Sequence, residues 1–150
     1  MTARARTETL PWEAIRVGDE LPALAIDVTA TRIVAGAVAT RDFMPVHHDK
    51  AYANAQGAPD VFMNILSDTG WCGRFLTDWA GPEVMVKTLA IRLGVPAFPG
   101  STLTYTGTVT GKAETGGERR VDIAFRAANE LGDHVSGTAV LDFPVPGARR

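Results

Sequence analysis

The sequence predicts an α+β fold in which one long helix lies against the apolar side of a curved antiparallel sheet. Two observations carry that prediction. Between residues 59 and 82 the apolar side chains recur with helical spacing, and from 84 to 143 the period switches to two. A third supports them: "GKAETGGE" and "NELGDH" are Gly-containing breaks that divide the period-two region into hairpins.

Taken in order, residues 1–11 are polar and expected to be flexible, as is the tail 144–150. "WEAIRVGDELP" leads into "ALAIDVTATRIVAGAVA", whose β-branched residues and alanines read as one or two strands ending before Asp42. Pro45 removes a backbone donor and turns Met44 away from helical geometry, so 42–49 reads as a loop. The helix follows, with apolar residues at 62, 65, 66, 72, 75, 76 and 79, Asp60 as its expected N-cap and Gly81-Pro82 as its stop. Val61, Met63 and Trp71 lie off the main stripe, which predicts burial on most sides, with Gly70 and Gly73 allowing close packing on the sheet.

The strands alternate clearly. Leu89, Ile91, Leu93 and Val95 form one apolar face; Leu103, Tyr105 and Val109 form the next, opposite a row of threonines at 102, 104, 106, 108 and 110. Val121, Ile123 and Phe125, then Val135, Ala139, Leu141 and Phe143, continue the pattern, and the four strands are expected to form a meander. A long buried helix on such a sheet is the hot-dog architecture, here in a single domain spanning 1–150.

Composition narrows the function. Hydrophobic residues make up 45% and charged residues 21%, ordinary values for a globular chain, and a net charge of −2 gives no footing for nucleic acid or an anionic membrane. No run approaches a membrane span, and "MTARARTETLPWE" lacks the apolar core of a signal peptide. A single cysteine, Cys72, excludes an internal disulfide, and the cytoplasm is the default expectation.

The chemistry concentrates in "TRDFMPVHHDKAY", residues 40–52. Asp42 and His47 are five apart, so on a continuous strand they would face opposite ways; a bend at Met44-Pro45 can bring both to one pocket. A neutral imidazole can deprotonate water and a carboxyl group can pass a proton to carbon, which suits addition of water to an activated double bond. On spacing alone the same residues read more readily as an Asx turn beside an exposed histidine. His47, His48 and Asp49 are adjacent and cannot easily converge on one ion, so no metal site is expected.

The stretch "ATRDFMPVHHDKAYANAQGAPDVFMNILSDTG" resembles the loop and central helix of MaoC-like (R)-specific enoyl-CoA hydratases, with their Asp-x-x-Pro-x-His motif. "WEAIRVGDELP" and "VPAFPGSTLTYTGTV" resemble the family's lead-in and post-helix strand pair. Within the family, "NIL-DTG", "TDWAGP", "IRLGVP" and "LGDHV" are similar to the small catalytic subunits of bacterial steroid side-chain hydratases.

The resemblance implies hydration of a trans-2-enoyl-CoA to a 3-hydroxyacyl-CoA, with Asp42 and His47 as the catalytic pair. It also implies an oxyanion donor at the helix start, where Asn64 and Ile65 are the candidates. The family has Gly in a His-Gly pair where this chain has Met63-Asn64. No cofactor is expected, CoA being part of the substrate. The implied partner is a second MaoC-like chain carrying a zinc-ribbon/OB-type domain, or otherwise a second copy of this chain, because a single hot-dog sheet leaves an edge strand unprotected.

The remaining polar residues have plainer readings. Asp68 and Ser67 satisfy polar groups beside the site, Lys87 and Arg92 belong to a solvated strand face or to CoA phosphates, and His134 is an exposed residue after a turn. Trp71, Phe75, Trp79 and Met63 are core or interface, and Cys72 is a small buried hydrophobe. Two rival functions stand beside the hydratase: a hot-dog acyl-CoA thioesterase using Asp68, and a non-catalytic subunit whose loop shapes a partner's pocket.

Overall fold

The structure, a computed structural model, describes residues 5–145. Its elements run β1 (Glu20–Asp27), α1 (Ala30–Ala39), α2 (Lys50–Ala55), α3 (Ile65–Ala80), β2 (Met85–Leu93), β3 (Thr102–Thr115), β4 (Glu118–Asn129) and β5 (Gly132–Phe143). Short 3₁₀ turns stand at Trp12–Ala14 and Pro45–His47. The five strands form one antiparallel sheet in the order β1-β3-β4-β5-β2. The fold is therefore the α+β hot-dog arrangement that the alternation predicts.

The core lies between α3 and one face of this sheet. Cys72, Phe75, Leu76 and Trp79 of α3 meet Leu103, Tyr105, Ile123, Phe125, Leu141 and Phe143 from the strands. Phe75 packs with ring centroids 5.8 Å from Tyr105 and 6.5 Å from Phe125, and Trp79 lies edge-on to Phe143 at 6.3 Å. The threonines of β3 point to the other face, as the period of two requires. Gly116 and Gly117 close the β3–β4 hairpin with φ of 62° and 80°, a pair of left-handed residues that the twist of two strands favours.

Several sequence expectations change. The segment 23–39 is half strand and half helix: α1 begins where Thr29 Oγ1 accepts from the Arg32 N–H at 3.1 Å. It buries Ile33 and Ala37, one turn apart. The alanines in this stretch favour the helix once it has a surface to cover. The long helix starts at Asn64, four residues later than Asp60. Val61 and Met63 are buried as extended chain, with the Met63 N–H donating to the Ala97 carbonyl at 3.1 Å. Asp60 instead pairs with Lys50 at 2.7 Å. The stop at Gly81 holds, with φ of 106°.

The helix is covered on one side. Ile65 and Leu66 are about half exposed, and a Cβ built at Gly70 or Gly73 would meet nothing within 4 Å, so these glycines lie on the open face. The meander is three strands, not four, because β2 pairs with β5 at the far edge. The short helix α2 is an addition to the elements read from the sequence. In the leading segment, the Arg6 and Leu10 N–H groups donate to the Asp78 and Ala80 carbonyls, so this part of 1–11 is tied to the end of α3. Residues 1–4 and 146–150, also expected to be flexible, lie outside the described residues. Among the described residues no helix is long and apolar enough to cross a membrane.

Candidate active site

The site forms where α1 ends, the 3₁₀ turn passes and α3 begins. Helix α1 stops in a paired C-cap: the Arg41 N–H bonds the Val38 carbonyl and the Asp42 N–H reaches back to Ala37 at 2.9 Å. This geometry needs a left-handed residue, and Arg41 supplies it at φ 59° despite its side chain. The turn launches Asp42 toward α3. Pro45 opens the 3₁₀ turn and brings His47 round to the same side.

Asp42 and His47 therefore converge, with Oδ2 and Nε2 3.4 Å apart. His47 is 7% exposed, and its Nδ1–H donates to the Phe62 carbonyl at 2.7 Å. A carbonyl can only accept, so in the neutral ring the lone pair sits on Nε2, aimed at Asp42. Phe62 also packs edge-on against the imidazole at 5.1 Å, which fixes its plane. Asp42 Oδ2 accepts from Asn64 Nδ2 at 2.8 Å, and Oδ1 accepts from the Met44 N–H at 3.3 Å. The Asn64 bond holds the Asp42 carboxyl below the ordinary aspartate range against the opposing effect of burial, with smaller help from the Met44 N–H and from the charged form of His47. Two acceptor atoms, Oδ2 and Nε2, thus face one gap.

Asn64 caps α3, its Oδ1 accepting from the Ser67 N–H at 3.1 Å. Of the first N–H groups of the helix, those of Ile65 and Leu66 have no carbonyl four residues back. Both residues are about half exposed, at the positive end of the helix dipole. Both sequence-predicted oxyanion candidates stand here, with the Asn64 side chain turned to Asp42.

His134 corrects the sequence reading most sharply. It is 2% exposed, with Nε2 2.9 Å from Asp68 Oδ1 and Nδ1 2.6 Å from the Val95 carbonyl. The Val95 carbonyl can only accept, so Nδ1–H donates to it, and Nε2 and Asp68 Oδ1 share a proton that makes the pair imidazolium and carboxylate when it sits on the ring. Burial works against that charge, but the bond and field of the Asp68 carboxylate, with the Val95 carbonyl, outweigh it and raise the His134 pKa. A signal was available: Asp68 on the helix and His134 on β5 are ionisable residues on elements whose faces the core buries. Asp68 is completely buried in this pair, so the carboxylate that a thioesterase reading needs is turned into the core.

The other residues resolve simply. Lys87 pairs with Glu118 at 2.9 Å. Arg92 lines an open groove of about 1090 Å³ with Thr106, Arg126, Ser136 and Thr138, on strand positions that alternate away from the core and exclude Asp42 and His47. Asp49 caps α2 through the Tyr52 N–H. Cys72 is buried, with its thiol pushed up to about 12 by desolvation first and by Asp68 second. Trp71 is stacked between Arg32 and Arg74, 5.4 and 5.1 Å from its ring centroid.

Comparison with known proteins then decides the family. The 3-oxo-4,17-pregnadiene-20-carboxyl-CoA hydratase beta subunit of Mycobacterium tuberculosis is 48% identical over 125 residues, which cover 83% of this chain and 94% of the relative. The chain belongs to the MaoC-like hydratase family. Membership makes it a hydratase, an enzyme of the class the loop motif points to. The crystal structure of the ChsH1–ChsH2 complex from the same organism superposes with a TM-score of 0.81 at 44% identity, covering 86% of this chain and 98% of that one. The R-hydratase PhaJ1 of Pseudomonas aeruginosa shares the MaoC-like fold at a TM-score of 0.79 and 23% identity, covering 96% and 95%. No protein-family model matches the chain.

Proposed function

We propose that this chain is the catalytic subunit of an enoyl-CoA hydratase acting on a steroid-type side chain, with Asp42 and His47 as the acid–base couple. The observation that carries it is the 3.4 Å approach of Asp42 Oδ2 and His47 Nε2, two acceptors facing one gap beside the start of α3. One water resting against both atoms can donate a hydrogen to each. His47 takes its proton while the hydroxyl adds at C3. The proton crosses to Asp42 and is delivered to C2, which returns both residues to their starting states.

As the hydroxyl adds, negative charge grows on the thioester oxygen. In this reading the N–H groups of Ile65 and Leu66, or that of Asn64, meet it together with the helix dipole; one such donor is typically worth about 3 kcal/mol of barrier. The reaction as written draws on no metal or redox group, and CoA arrives and leaves as part of the substrate.

The steroid side chain and the heteromeric assembly rest on the 48%-identical relative and on the ChsH1–ChsH2 complex. The open face of α3 at Gly70 and Gly73 and the unpaired outer edge of β2 supply surface for a second MaoC-like chain. A cytoplasmic setting completes the reading, since the one cysteine suits a reducing compartment.

The test is a panel of enoyl-CoA thioesters from short-chain to steroid, assayed with and without the co-encoded partner by loss of the conjugated-thioester absorbance. Turnover of the steroid thioester by the assembled pair, abolished by Asp42→Asn and His47→Ala, is the expected result. Full activity of both variants leaves the chain as a scaffold, and thiol release without water addition makes it a thioesterase.

A further inference from the structure

The Asn64 side chain does more than an N-cap requires. Capping uses only Oδ1, which accepts from the Ser67 N–H, and Ser, Thr or Asp would serve that purpose as well. Its amide nitrogen has two hydrogens and both are committed: one to Thr40 Oγ1 at 2.9 Å and one to Asp42 Oδ2 at 2.8 Å. Thr40 spends its own hydroxyl hydrogen on the Gly36 carbonyl at 2.8 Å, so it can only accept from Asn64. The orientation of the amide is therefore determined. Reversed, it would set its oxygen against the Asp42 carboxylate and its NH₂ against the Ser67 N–H. Asn64 is 3% exposed, so its amide is oriented by these bonds and not by solvent.

The oxygen that Asn64 holds is the one that faces His47. The other Asp42 bond, from the Met44 N–H, is longer and goes to Oδ1. Around this carboxylate, α1 contributes neutral Thr40, α3 contributes neutral Asn64, and His47 on the 3₁₀ turn is the facing titratable group.

We infer that Asn64 is the positioning residue of the site: its amide aims Asp42 Oδ2 at the gap before His47 and ties the acid–base couple to the start of α3. The inference rests on the hydratase reading of that couple. A carboxylate so held is an acceptor for water in the resting site, and it loses both direction and charge stabilisation when the amide is removed.

Two substitutions separate this role from capping. Asn64→Ser keeps a good N-cap and removes the donor; Thr40→Val keeps Asn64 and removes the acceptor that orients its amide. Both are measured in the assembled enzyme by kcat and KM, and by a ¹³C NMR titration of the Asp42 side chain, with melting temperature as the control for folding. For Asn64→Ser, kcat falls on the order of tenfold to a hundredfold with KM little changed. The Asp42 titration moves up toward the ordinary aspartate value, and the protein melts near the wild-type temperature. Thr40→Val moves the same quantities in the same direction by less. An Asp42 titration and kcat unchanged in both variants overturn the inference. The titration needs no turnover, so it still decides the question if the wild type proves not to be a hydratase, in which case the functional reading alone fails.

Discussion

His134 Nε2 and Asp68 Oδ1 lie 2.9 Å apart beneath the first turn of α3, on residues 2% and 0% exposed. The pair joins α3, whose first N–H groups are proposed as oxyanion donors, to the start of β5, and through the Val95 carbonyl it also holds the loop after β2. A charge buried this deeply is stable only while its partner is present. His134→Gln leaves the Asp68 carboxylate without a counter-ion and is expected to cost about 3–5 kcal/mol, read as a shift in the urea midpoint.

The same pair sets a pH dependence. The folded state raises the His134 pKa above that of the unfolded chain, so it binds the proton more tightly. Its contribution is fully present below the unfolded value of about 6.5 and is lost as pH rises through the folded one. Thermal unfolding followed upward from pH 6 should therefore show a falling component on the alkaline side of the ordinary histidine range. His134→Gln should lack it; a component that persists in the variant assigns it to another group.

Asp42 and His47 are expected to behave differently from the buried pair. Asp42→Asn and His47→Ala each remove one of two acceptors at a partly open site, so activity should fall by roughly 10²–10⁴-fold with little change in melting temperature. A large loss of stability in either variant would show that the loop is held together by the couple.

Helix α1 crosses the first turn of α3 at Gly36, where an added Cβ would stand 2.3 Å from Ser67 Oγ and 3.2 Å from its Cβ. Gly36→Ala is expected to destabilise by about 1–3 kcal/mol and to displace Asp42 from His47. Because the worst contact is with a hydroxyl, the double variant Gly36→Ala/Ser67→Ala should recover much of the loss. Strict additivity in a double-mutant cycle would place the clash elsewhere.

Arg41 holds a left-handed conformation that side chains disfavour. Arg41→Gly keeps the C-cap that directs Asp42 and should stabilise the protein by about 0.5–1 kcal/mol, the relief of strain being partly offset by a freer unfolded chain. Equilibrium urea unfolding checks this, and unchanged activity would show that the Asp42 geometry survives.

Much of this molecule was legible in one dimension. The alternation through Leu103, Tyr105 and Val109 specifies which strand face is buried, because a period of two is a local property of the backbone. The Gly81 stop and the bend at Pro45 are likewise local, and the Asp-x-x-Pro-x-His spacing pointed to the residues that converge. Where local signals compete, the reading failed. The segment 30–39 carries β-branched residues and alanines together, and its helical state is decided by burial of Ile33 and Ala37. Val61 and Met63 continue a helical run on paper, yet the bond from Met63 to Ala97 holds them extended.

What the sequence determined by itself was the composition of each surface: an apolar helix stripe, apolar strand faces, and a loop with Asp42 and His47 on either side of a proline. What the tertiary structure alone decided was which polar groups meet across distant parts of the chain. Asn64 to Asp42 spans 22 residues and Asp68 to His134 spans 66. Such contacts are settled only when the helix docks on the sheet, because their energy comes from removing water around groups that no local pattern brings together.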